Sequence, residues 1–382
     1  MKFLQISDTH LGYRQYGLIE REEDFFDVFE EAIEIAIKEN VDFILHSGDF
    51  FHTSRPSNQT FLKAIEVIKR LKDHKIPIFT ISGNHDRGNQ IRDISPLKIL
   101  ESFGLKLIDA GSIEHEGVVI SGLKYIPKVA LRQSKLKNFL EKIRENSPNN
   151  NAIHLLMLHH EFQPFFPNSI LNLHEELPDG YNYVGIGHYH IPQEPFYIRN
   201  SFILYSGSTE YTAYNPKEEE IDKKIHLIEF SDGKFSYQPL TLSRKRPFLR
   251  FTLSENSLEE DIKTLKYEIE KMQTQYSKKP VLILKGKLRE KSLKDVDYLL
   301  SKEDIKELTI YINYSIESSQ VLDVSSIPTS PEEIIDIEKE LKKLIEDETL
   351  YEKAIEILST FKNLEIDEAK KILKENPDIL KF

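Results

Sequence analysis

The stretch VDFILHSGDFFHTSRPS, residues 41–57, joins an apolar run to a turn that is rich in reactive side chains. Its first five residues have the composition of a buried strand, and Gly48 permits a sharp turn soon afterwards. Asp49, His52 and Arg55 then follow within seven positions. A simple turn needs glycine and polar residues, but it does not need this combination. The stretch therefore predicts a buried strand whose carboxyl end delivers functional groups.

The same strand-and-turn pattern recurs on both sides of this stretch, with helices between. Residues 2–6, KFLQI, read as a short buried strand, and residues 76–86, IPIFTISGNHD, read as another strand followed by a turn. Apolar residues at helical spacing predict helices over about 20–39 and 57–73. Alternating strands and helices imply a parallel sheet covered by helices. Short strands predominate after residue 105, so the expected fold class is α/β with a largely β later part.

The chain is predicted to divide into four parts. Residues 1–243 form the main α/β domain, which ends near the basic segment SRKRPFLR. Residues 244–315 contain a strand–helix–strand–helix–strand pattern that fits a small α+β domain. Residues 316–330 contain serine and proline and fit a linker, and residues 331–382 have a helical pattern.

Composition narrows the chemistry that the 382-residue chain can perform. It contains no cysteine, so disulfides, zinc–thiolate sites and a cysteine nucleophile are excluded, and a metal must be held by His, Asp, Glu or Asn. The net charge of −12 argues against a nucleic-acid binder held by charge alone. The first residues do not resemble a signal peptide, and no apolar run approaches membrane-spanning length. A cytoplasmic, nucleoid-associated protein is expected.

Five predicted strands end on side chains that commonly bind metals. The candidates are Asp8 and His10 in SDTH, Asp49 in SGDF, Asn84 and His85 in SGNHD, His159 and His160 in HLLMLHH, and His188 and His190 in GHYH. Ligands gather outside the carboxyl ends of strands in open α/β sheets, so these groups are expected to meet in one crevice. A single histidine at a strand end is more often structural, but five such ends after apolar runs favour a shared site.

These residue types suit a centre of two divalent cations. Carboxylate, imidazole and amide ligands together fit manganese, iron or zinc. Two cations held about 3.5–4 Å apart need a bridging ligand, and Asp49 is the single acid in its turn. In the Asp-x-His and His-x-His motifs both side chains are expected to point the same way, because side chains on extended backbone alternate. His160 competes with His159 as a ligand and is interpreted as structural.

The order of these motifs resembles that of the calcineurin-like metallophosphoesterases, whose pattern is D-x-H, G-D, G-N-H-D/E, H and G-H-x-H. All five blocks occur in order within residues 8–190. The resemblance implies a four-layer α-β-β-α sandwich. It also implies two metal sites, the first held by Asp8, His10, Asp49 and His190 and the second by Asp49, Asn84, His159 and His188.

A narrower resemblance is to the nuclease subunits of the DNA double-strand-break repair complex, the family of the bacterial SbcD and its archaeal relatives. GDFFHTSRPS, SDTHLGYRQYG and SGNHDRG match that family. The resemblance implies an exonuclease and endonuclease that acts on DNA ends with manganese, or with magnesium, iron or zinc. A metal-activated water would attack the phosphodiester and His85 would protonate the leaving oxygen. His52 would assist the phosphate or tune His85, and Asp86 could orient His85.

The same resemblance implies a homodimer and a partner, an SMC-like coiled-coil ABC ATPase. Residues 244–315 would be a DNA-binding cap, and two amphipathic helices within 331–382 would need a partner groove to bury their apolar faces. The residues predicted to contact the ATPase are Ile334, Ile337, Leu341, Leu344, Tyr351, Ile355, Leu358 and Phe361. The residues predicted to contact DNA are Tyr13, Arg14, Arg55, Arg87, Arg92, Lys124, Arg244, Lys245 and Arg246.

Two other functions are compatible with the sequence. A small-molecule metallophosphoesterase, which cleaves cyclic nucleotides or nucleotide anhydrides, would explain the metal ligands but not the cap and the helical tail. A non-catalytic scaffold of the same fold should have lost ligands, and here every ligand type is present. Each DNA-contact candidate also fits an ordinary solvated surface position, and the tail also fits packing onto the chain's own domains.

Overall fold

Strands and helices alternate along the first part of the chain, as the sequence predicts. The computed structural model describes residues 1–87, 94–131, 135–149, 151–212 and 216–318. The strands among the described residues are β1 (Lys2–Ile6), β2 (Phe43–His46), β3 (Ile78–Thr80), β4 (Leu105–Leu107), β5 (Ala110–His115), β6 (Val118–Leu123), β7 (Ile153–His159), β8 (Tyr183–Gly187), β9 (Phe196–Ile198), β10 (Ser201–Tyr205), β11 (Lys224–Ser231), β12 (Lys234–Thr241), β13 (Phe248–Ser254), β14 (Val281–Leu288) and β15 (Tyr311–Ser318).

The two helices predicted from apolar spacing, α1 and α2, begin and end within a residue or so of the expected positions. The helices among the described residues are α1 (Ile19–Lys38), α2 (Asn58–Asp73), α3 (Pro96–Leu100), α4 (Lys128–Leu131), α5 (Leu136–Glu145), α6 (Leu173–Glu176), α7 (Leu258–Gln273), α8 (Leu293–Lys302) and α9 (Ile305–Leu308). Ser57 caps α2 by accepting a hydrogen bond from the Thr60 backbone N–H, which satisfies one of the unpaired donors of the first turn. No helix among the described residues is long and apolar enough to cross a membrane.

The strands form two mixed six-stranded sheets. The first has the order β12-β11-β1-β2-β3-β4 and the second β5-β6-β7-β8-β10-β9. In the first sheet β1 to β4 are parallel, and in the second β6, β7, β8 and β10 are parallel. Antiparallel pairing occurs toward the edges of each sheet. The centre of each sheet therefore presents several carboxyl strand ends side by side.

Side chains that alternate along each strand build the layers. Phe3 packs in the core between the two sheets, whereas its neighbour Leu4 packs under the helices on the outer face of the first sheet. In the second sheet Met157 faces the core between the sheets, and Leu156 packs with Leu140 of α5. This period of two is what a sheet buried on both faces requires. The four-layer α-β-β-α sandwich predicted from the sequence is confirmed.

A third sheet, β13-β14-β15, follows the sandwich. Both of its strand pairs are parallel, because α7 and the α8–α9 pair each provide a crossover between successive strands. This part of the chain was expected to be α+β, but its all-parallel sheet makes it a small α/β unit. β15 ends at Ser318, so it continues into the predicted linker. The rest of that linker and the predicted helical segment 331–382 lie outside the described residues.

Buried ion pairs connect the first helix to the chain segment that leads into the third sheet. Asp24 of α1 accepts hydrogen bonds from Arg246 Nε at 2.5 Å and from Arg21 Nη1 at 2.6 Å. Lys278 Nζ lies 2.8 Å from the same carboxylate. Burial alone would raise the pKa of Asp24, but the hydrogen bond from Arg246 and the charges of Arg21 and Lys278 lower it below the ordinary 3.8.

Replacing Asp24 by alanine should destabilise the protein by about 3–5 kcal/mol, because two buried guanidinium groups lose their shared carboxylate. The depressed pKa means that this contribution is complete above pH 3.8 and is lost as the pH falls through the lowered value. Denaturant unfolding of wild type and variant near pH 7 and near pH 3 measures both effects.

The neighbouring Glu23→Ala variant is the control, because Glu23 forms a partly exposed ion pair with Lys63. That variant should lose no more than about 1 kcal/mol. Equal losses for the two variants would contradict a structural role for the buried pairs.

Candidate metal centre

The side chains predicted to bind metal lie directly after the carboxyl ends of neighbouring strands. Asp8 and His10 follow β1, Asp49 follows β2 and Asn84 follows β3. In the second sheet His159 is the last residue of β7, and His188 and His190 follow β8. The two sheets thus bring seven side chains from five distant stretches of sequence to one place.

One cluster contains Asp8, His10, Asp49 and His190. Each offers one ligand atom, and these four atoms all lie within 4.8 Å of one another. The Nε2 atoms of His10 and His190 are 3.2 Å apart, and His190 Nε2 is 3.6 Å from Asp8 Oδ1. Such convergence of carboxylate and imidazole groups is the arrangement that a divalent cation requires.

A second cluster shares Asp49 with the first. It contains Asp49, His159 and His188, whose ligand atoms again lie within 4.8 Å of one another. Asn84 belongs to the same group, because its Oδ1 lies 3.1 Å from His159 Nε2 and 2.9 Å from His188 Nδ1. His159 Nε2 is 3.2 Å from Asp49 Oδ2. The Asp49 carboxylate is therefore the group common to the two clusters.

The electrostatics of the clusters favour bound cations. Burial raises the pKa of the Asp8 carboxyl to about 7, and the nearby charge of Asp49 adds to this effect. Burial would lower the pKa of His159, but the Asp49 carboxylate reverses the effect and raises it to about 9. The two carboxylates thus need a positive charge beside them, which here a proton on His159 supplies. A divalent cation would meet the same need, so this donor set fits two metal ions.

The orientation of His159 also fits metal binding. Its Nδ1–H donates to the backbone carbonyl of Ser47 at 2.7 Å, so Nε2 is the nitrogen that faces the cluster, and a bound cation would replace the proton there. A backbone acceptor of this kind commonly fixes the tautomer of a metal-binding histidine. His160 points elsewhere: its Nε2 accepts from the Ile126 backbone N–H at 3.0 Å, and its ring stacks on Tyr125.

The backbone at the site departs from the extended conformation that the sequence suggested. Four of the seven residues have positive φ: Asp8 (51°), His10 (43°), Asp49 (54°) and His188 (79°). Left-handed backbone is uncommon for residues other than glycine and often marks functional sites. The prediction that extended backbone aligns Asp8 with His10, and likewise His188 with His190, is therefore wrong. Tight turns after the strands bring these side chains together instead.

His85 and His52 lie beside the first cluster. His85 Nδ1–H donates to the backbone carbonyl of His52 at 2.7 Å, and the His85 ring meets the His10 ring edge-on at 4.9 Å. The His52 ring stacks on Tyr13 at 3.8 Å and lies 5.1 Å from His85. Burial, together with the proximity of His85, lowers the pKa of His52 to about 4.

Asp86 has a different role from the one predicted. Its carboxylate accepts hydrogen bonds from the backbone N–H groups of Phe50, Phe51 and Gly83. The side chain therefore ties the turn after β2 to the turn after β3, and the carbonyl of His52 holds the His85 ring. Phe50 and Phe51 are fully buried, so they anchor the turn in the core.

Comparison with known proteins agrees with these features. The calcineurin-like phosphoesterase family matches residues 1–192. The DNA double-strand break repair protein Mre11 of Saccharolobus solfataricus is 33% identical over an alignment that covers 98% of each chain. The chain belongs to the Mre11 family of calcineurin-like phosphoesterases. Its Sulfurisphaera tokodaii relative is 35% identical over 75% of this chain and 74% of that protein, and its Thermoplasma acidophilum relative is 28% identical over 95% of each.

Membership of the Mre11 family makes this chain a metal-dependent phosphoesterase. Two further side chains contact candidate ligands of its metal centre. Sequence reasoning missed Glu161, whose Oε1 lies 3.3 Å from His188 Nε2 and whose other oxygen pairs with Lys128 at 2.8 Å. It also missed Thr212, whose hydroxyl lies 2.6 Å from His190 Nδ1. An acid directly after His159–His160 was a visible signal for Glu161, but no local pattern pointed to Thr212.

The residues of this Mre11-family chain that were predicted to touch DNA differ in their surroundings. Arg55, Arg87 and Lys124 are exposed, and the Arg87 guanidinium lies over the Tyr125 ring at 5.8 Å. Arg14 pairs with Glu22 at 2.8 Å, and Arg244 pairs with Glu34 at 2.5 Å.

Two of these predictions are corrected by the structure. Lys245 donates to the Leu242 carbonyl, and Arg246 pairs with Asp24; both side chains are buried. Lys245 also pairs with Asp222 at 3.2 Å, so both positive charges are engaged within the protein and are not available to DNA phosphates. Arg92 lies outside the described residues, as do all eight residues that were predicted to contact the ATPase.

Gly83→Ala should remove activity while the fold is retained. A Cβ at this position would overlap the Asp49 carboxylate and its backbone nitrogen, so the group shared by the two clusters would have to move. Displacement of this size should lower phosphodiester hydrolysis by about 100-fold or more, as measured with bis-p-nitrophenyl phosphate and manganese.

The control is Gly233→Ala in the β11–β12 turn, where φ is +76° and nothing lies within 4 Å of the added Cβ. That variant should lose stability through backbone strain but keep its activity. Full activity in the Gly83 variant would contradict the assigned position of Asp49.

Proposed function

We propose that this Mre11-family chain is a two-metal nuclease that processes DNA ends at double-strand breaks. The observation that carries the proposal is the pair of buried clusters that share Asp49, with His85 beside them. The relatives are named as DNA double-strand break repair proteins, which supports DNA as the substrate. Carboxylate, imidazole and amide oxygen ligands are compatible with manganese as the metal.

Each cluster would hold one cation. Asp8, His10, Asp49 and His190 would bind the first, and Asp49, Asn84, His159 and His188 would bind the second. When bound, two divalent cations activate a water molecule and neutralise the charge of the phosphate. The protein's part is to keep the ligands rigid and buried, which the Asp86 hydrogen bonds and the packed strand ends achieve.

His85 is the proposed proton donor to the leaving oxygen. Its Nδ1–H is engaged by the His52 carbonyl, so a second proton on Nε2 is the one available for transfer. Its ring centroid lies 4.9 Å from that of His10 in the first cluster, which keeps it close to any phosphate bound there. Imidazole is the side chain that most often serves as a general acid in enzymes.

His52 would act by position rather than by charge. The lowered pKa keeps its imidazole neutral near pH 7, so it adds no positive charge beside His85. Its backbone carbonyl orients His85, and its ring fills the space between Tyr13 and His85. Exposed Arg55, Arg87 and Lys124 would provide charge for the DNA backbone.

The family relation also supports two partners. We propose that the chain works as a homodimer and that residues 331–382 bind an SMC-like coiled-coil ATPase. The apolar stripes of that segment, spaced at helical intervals in an acidic stretch, fit a helix-in-groove contact.

His85→Ala should lower manganese-dependent cleavage of DNA ends by about 10²- to 10⁴-fold, because it removes a general acid. Binding of two manganese ions should be unchanged, since His85 is not among the proposed ligands. The test measures cleavage of labelled single- and double-stranded DNA and, separately, metal binding by calorimetry. Unchanged cleavage with full metal occupancy would overturn the assignment of His85.

The same assay distinguishes the alternatives. A small-molecule phosphoesterase would cleave bis-p-nitrophenyl phosphate or cyclic nucleotides and leave DNA intact. A scaffold would cleave none of these substrates. Cleavage of DNA by the wild type, lost in Asp49→Asn, is the result expected for the nuclease.

Deletion of residues 331–382 should abolish capture of the ATPase and preserve DNA cleavage, because the described site lies entirely before residue 331. Pull-down of the purified ATPase by the full and shortened chains measures this. Replacement of Leu341 and Leu344 by aspartate in the full chain should have the same effect, and undiminished capture by both altered chains would contradict it.

A further inference from the structure

A chain of buried hydrogen bonds extends from His190 away from the metal centre. His190 Nδ1 lies 2.6 Å from Thr212 Oγ1, and Thr212 Oγ1 lies 2.9 Å from Glu218 Oε2. The other oxygen of Glu218 accepts a hydrogen bond from Lys223 Nζ at 2.5 Å. Imidazole, hydroxyl, carboxylate and ammonium thus follow one another in a line.

Burial makes this arrangement unusual. Glu218 is 1% exposed and Lys223 is 0% exposed. A buried ion pair gains little stability on balance, because removing two charges from water costs about as much as their attraction returns. The charges lie too deep to meet a substrate. The position of the pair next to Thr212, which contacts His190, suggests a structural role toward that histidine.

The hydrogen-bonding groups of this relay, the chain His190–Thr212–Glu218–Lys223, all have partners. Lys223 Nζ also donates to Ser208 Oγ at 2.7 Å and to the His190 backbone carbonyl at 3.1 Å. Glu218 Oε1 accepts from the Thr212 backbone N–H at 2.9 Å and from Ser208 Oγ at 3.0 Å. A network with every polar group paired is rigid. Lys223 and Glu218 neutralise each other, so the network adds no net charge beside the metal ligands.

The direction of the hydrogen bonds is set by the ring of His190. Its Nε2 faces His10 and Asp8, so this nitrogen must be unprotonated if it binds a cation. Nδ1 then carries the proton and donates to Thr212 Oγ1. The Thr212 hydroxyl in turn donates to Glu218, and the negative carboxylate makes that hydroxyl a better acceptor.

We propose that Thr212, Glu218 and Lys223 are positioning residues that hold His190 in the tautomer and orientation needed to bind metal. The inference rests on the proposed two-metal centre. Outer partners of metal-binding histidines commonly change metal affinity by about 10- to 100-fold. Thr212, Glu218 and Lys223 are not proposed metal ligands, so each of them can be replaced without removing a ligand.

Manganese titration of the full chain by calorimetry tests this relay. Thr212→Val keeps the shape of the side chain but removes the hydroxyl, so one of the two manganese ions should bind about 10- to 100-fold more weakly. Thr212→Ser restores the hydroxyl and should bind both ions within about threefold of wild type. Circular dichroism verifies folding, and Thr212→Ala replaces the valine variant if that variant does not fold.

The matched control is Thr80→Val. Thr80 is also a fully buried threonine beside an imidazole, since its hydroxyl lies 3.4 Å from Nδ1 of His46, which is not a proposed ligand. This variant should bind both ions as wild type does. Equal affinity in the wild type and the Thr212→Val variant, or equal weakening in the control, would overturn the relay. A wild type that binds no manganese would instead overturn the metal centre itself.

Discussion

The buried carboxylate of Asp49 is the constraint on which the rest of the site depends. It belongs to both clusters, and its Oδ1 also accepts a hydrogen bond from the His85 backbone N–H at 2.9 Å. A carboxylate in this position repels Asp8 and must be offset by positive charge. The same carboxylate leaves no room for a Cβ at Gly83. The turn after β3 therefore has to be glycine at the point where it crosses the turn after β2.

The sandwich provides the rigidity that is needed to hold the Asp8 and Asp49 carboxylates close together. Asp86 joins the two turns through three backbone hydrogen bonds, and the buried Phe50 and Phe51 fix the turn after β2 in the core. Left-handed backbone at four of the candidate ligands is tolerated because the flanking strands and these contacts over-determine it. The packed sheets thus stabilise the strained turns, and the turns hold the candidate ligands in place.

Much of the candidate site could be predicted from the sequence, because strand ends and ligand types are local features. Apolar runs located the strands, and the polar residues directly after them supplied the candidate ligands. The backbone conformation of those residues was not predictable, because left-handed geometry at Asp8 and His10 depends on contacts with the turn after β2. Glu161 and Thr212 were missed for a related reason: each reaches a histidine that is distant along the chain. Lys245 and Arg246 were wrongly predicted to contact DNA. Their basic segment would have the same composition whether its side chains were exposed to DNA or buried in ion pairs.

The sequence by itself determined the class of fold, the order of the motifs and the chemical nature of the donor atoms, since periodicity and residue type are properties of short segments. Only the tertiary structure decided which carboxylate is shared between the clusters, which nitrogen of each histidine faces them and which charges are neutralised inside the protein. These features depend on distances between strand ends that lie far apart in the sequence and meet only in the folded sheets. A relay such as His190–Thr212–Glu218–Lys223 exists only once β8 and the loop before β11 lie side by side.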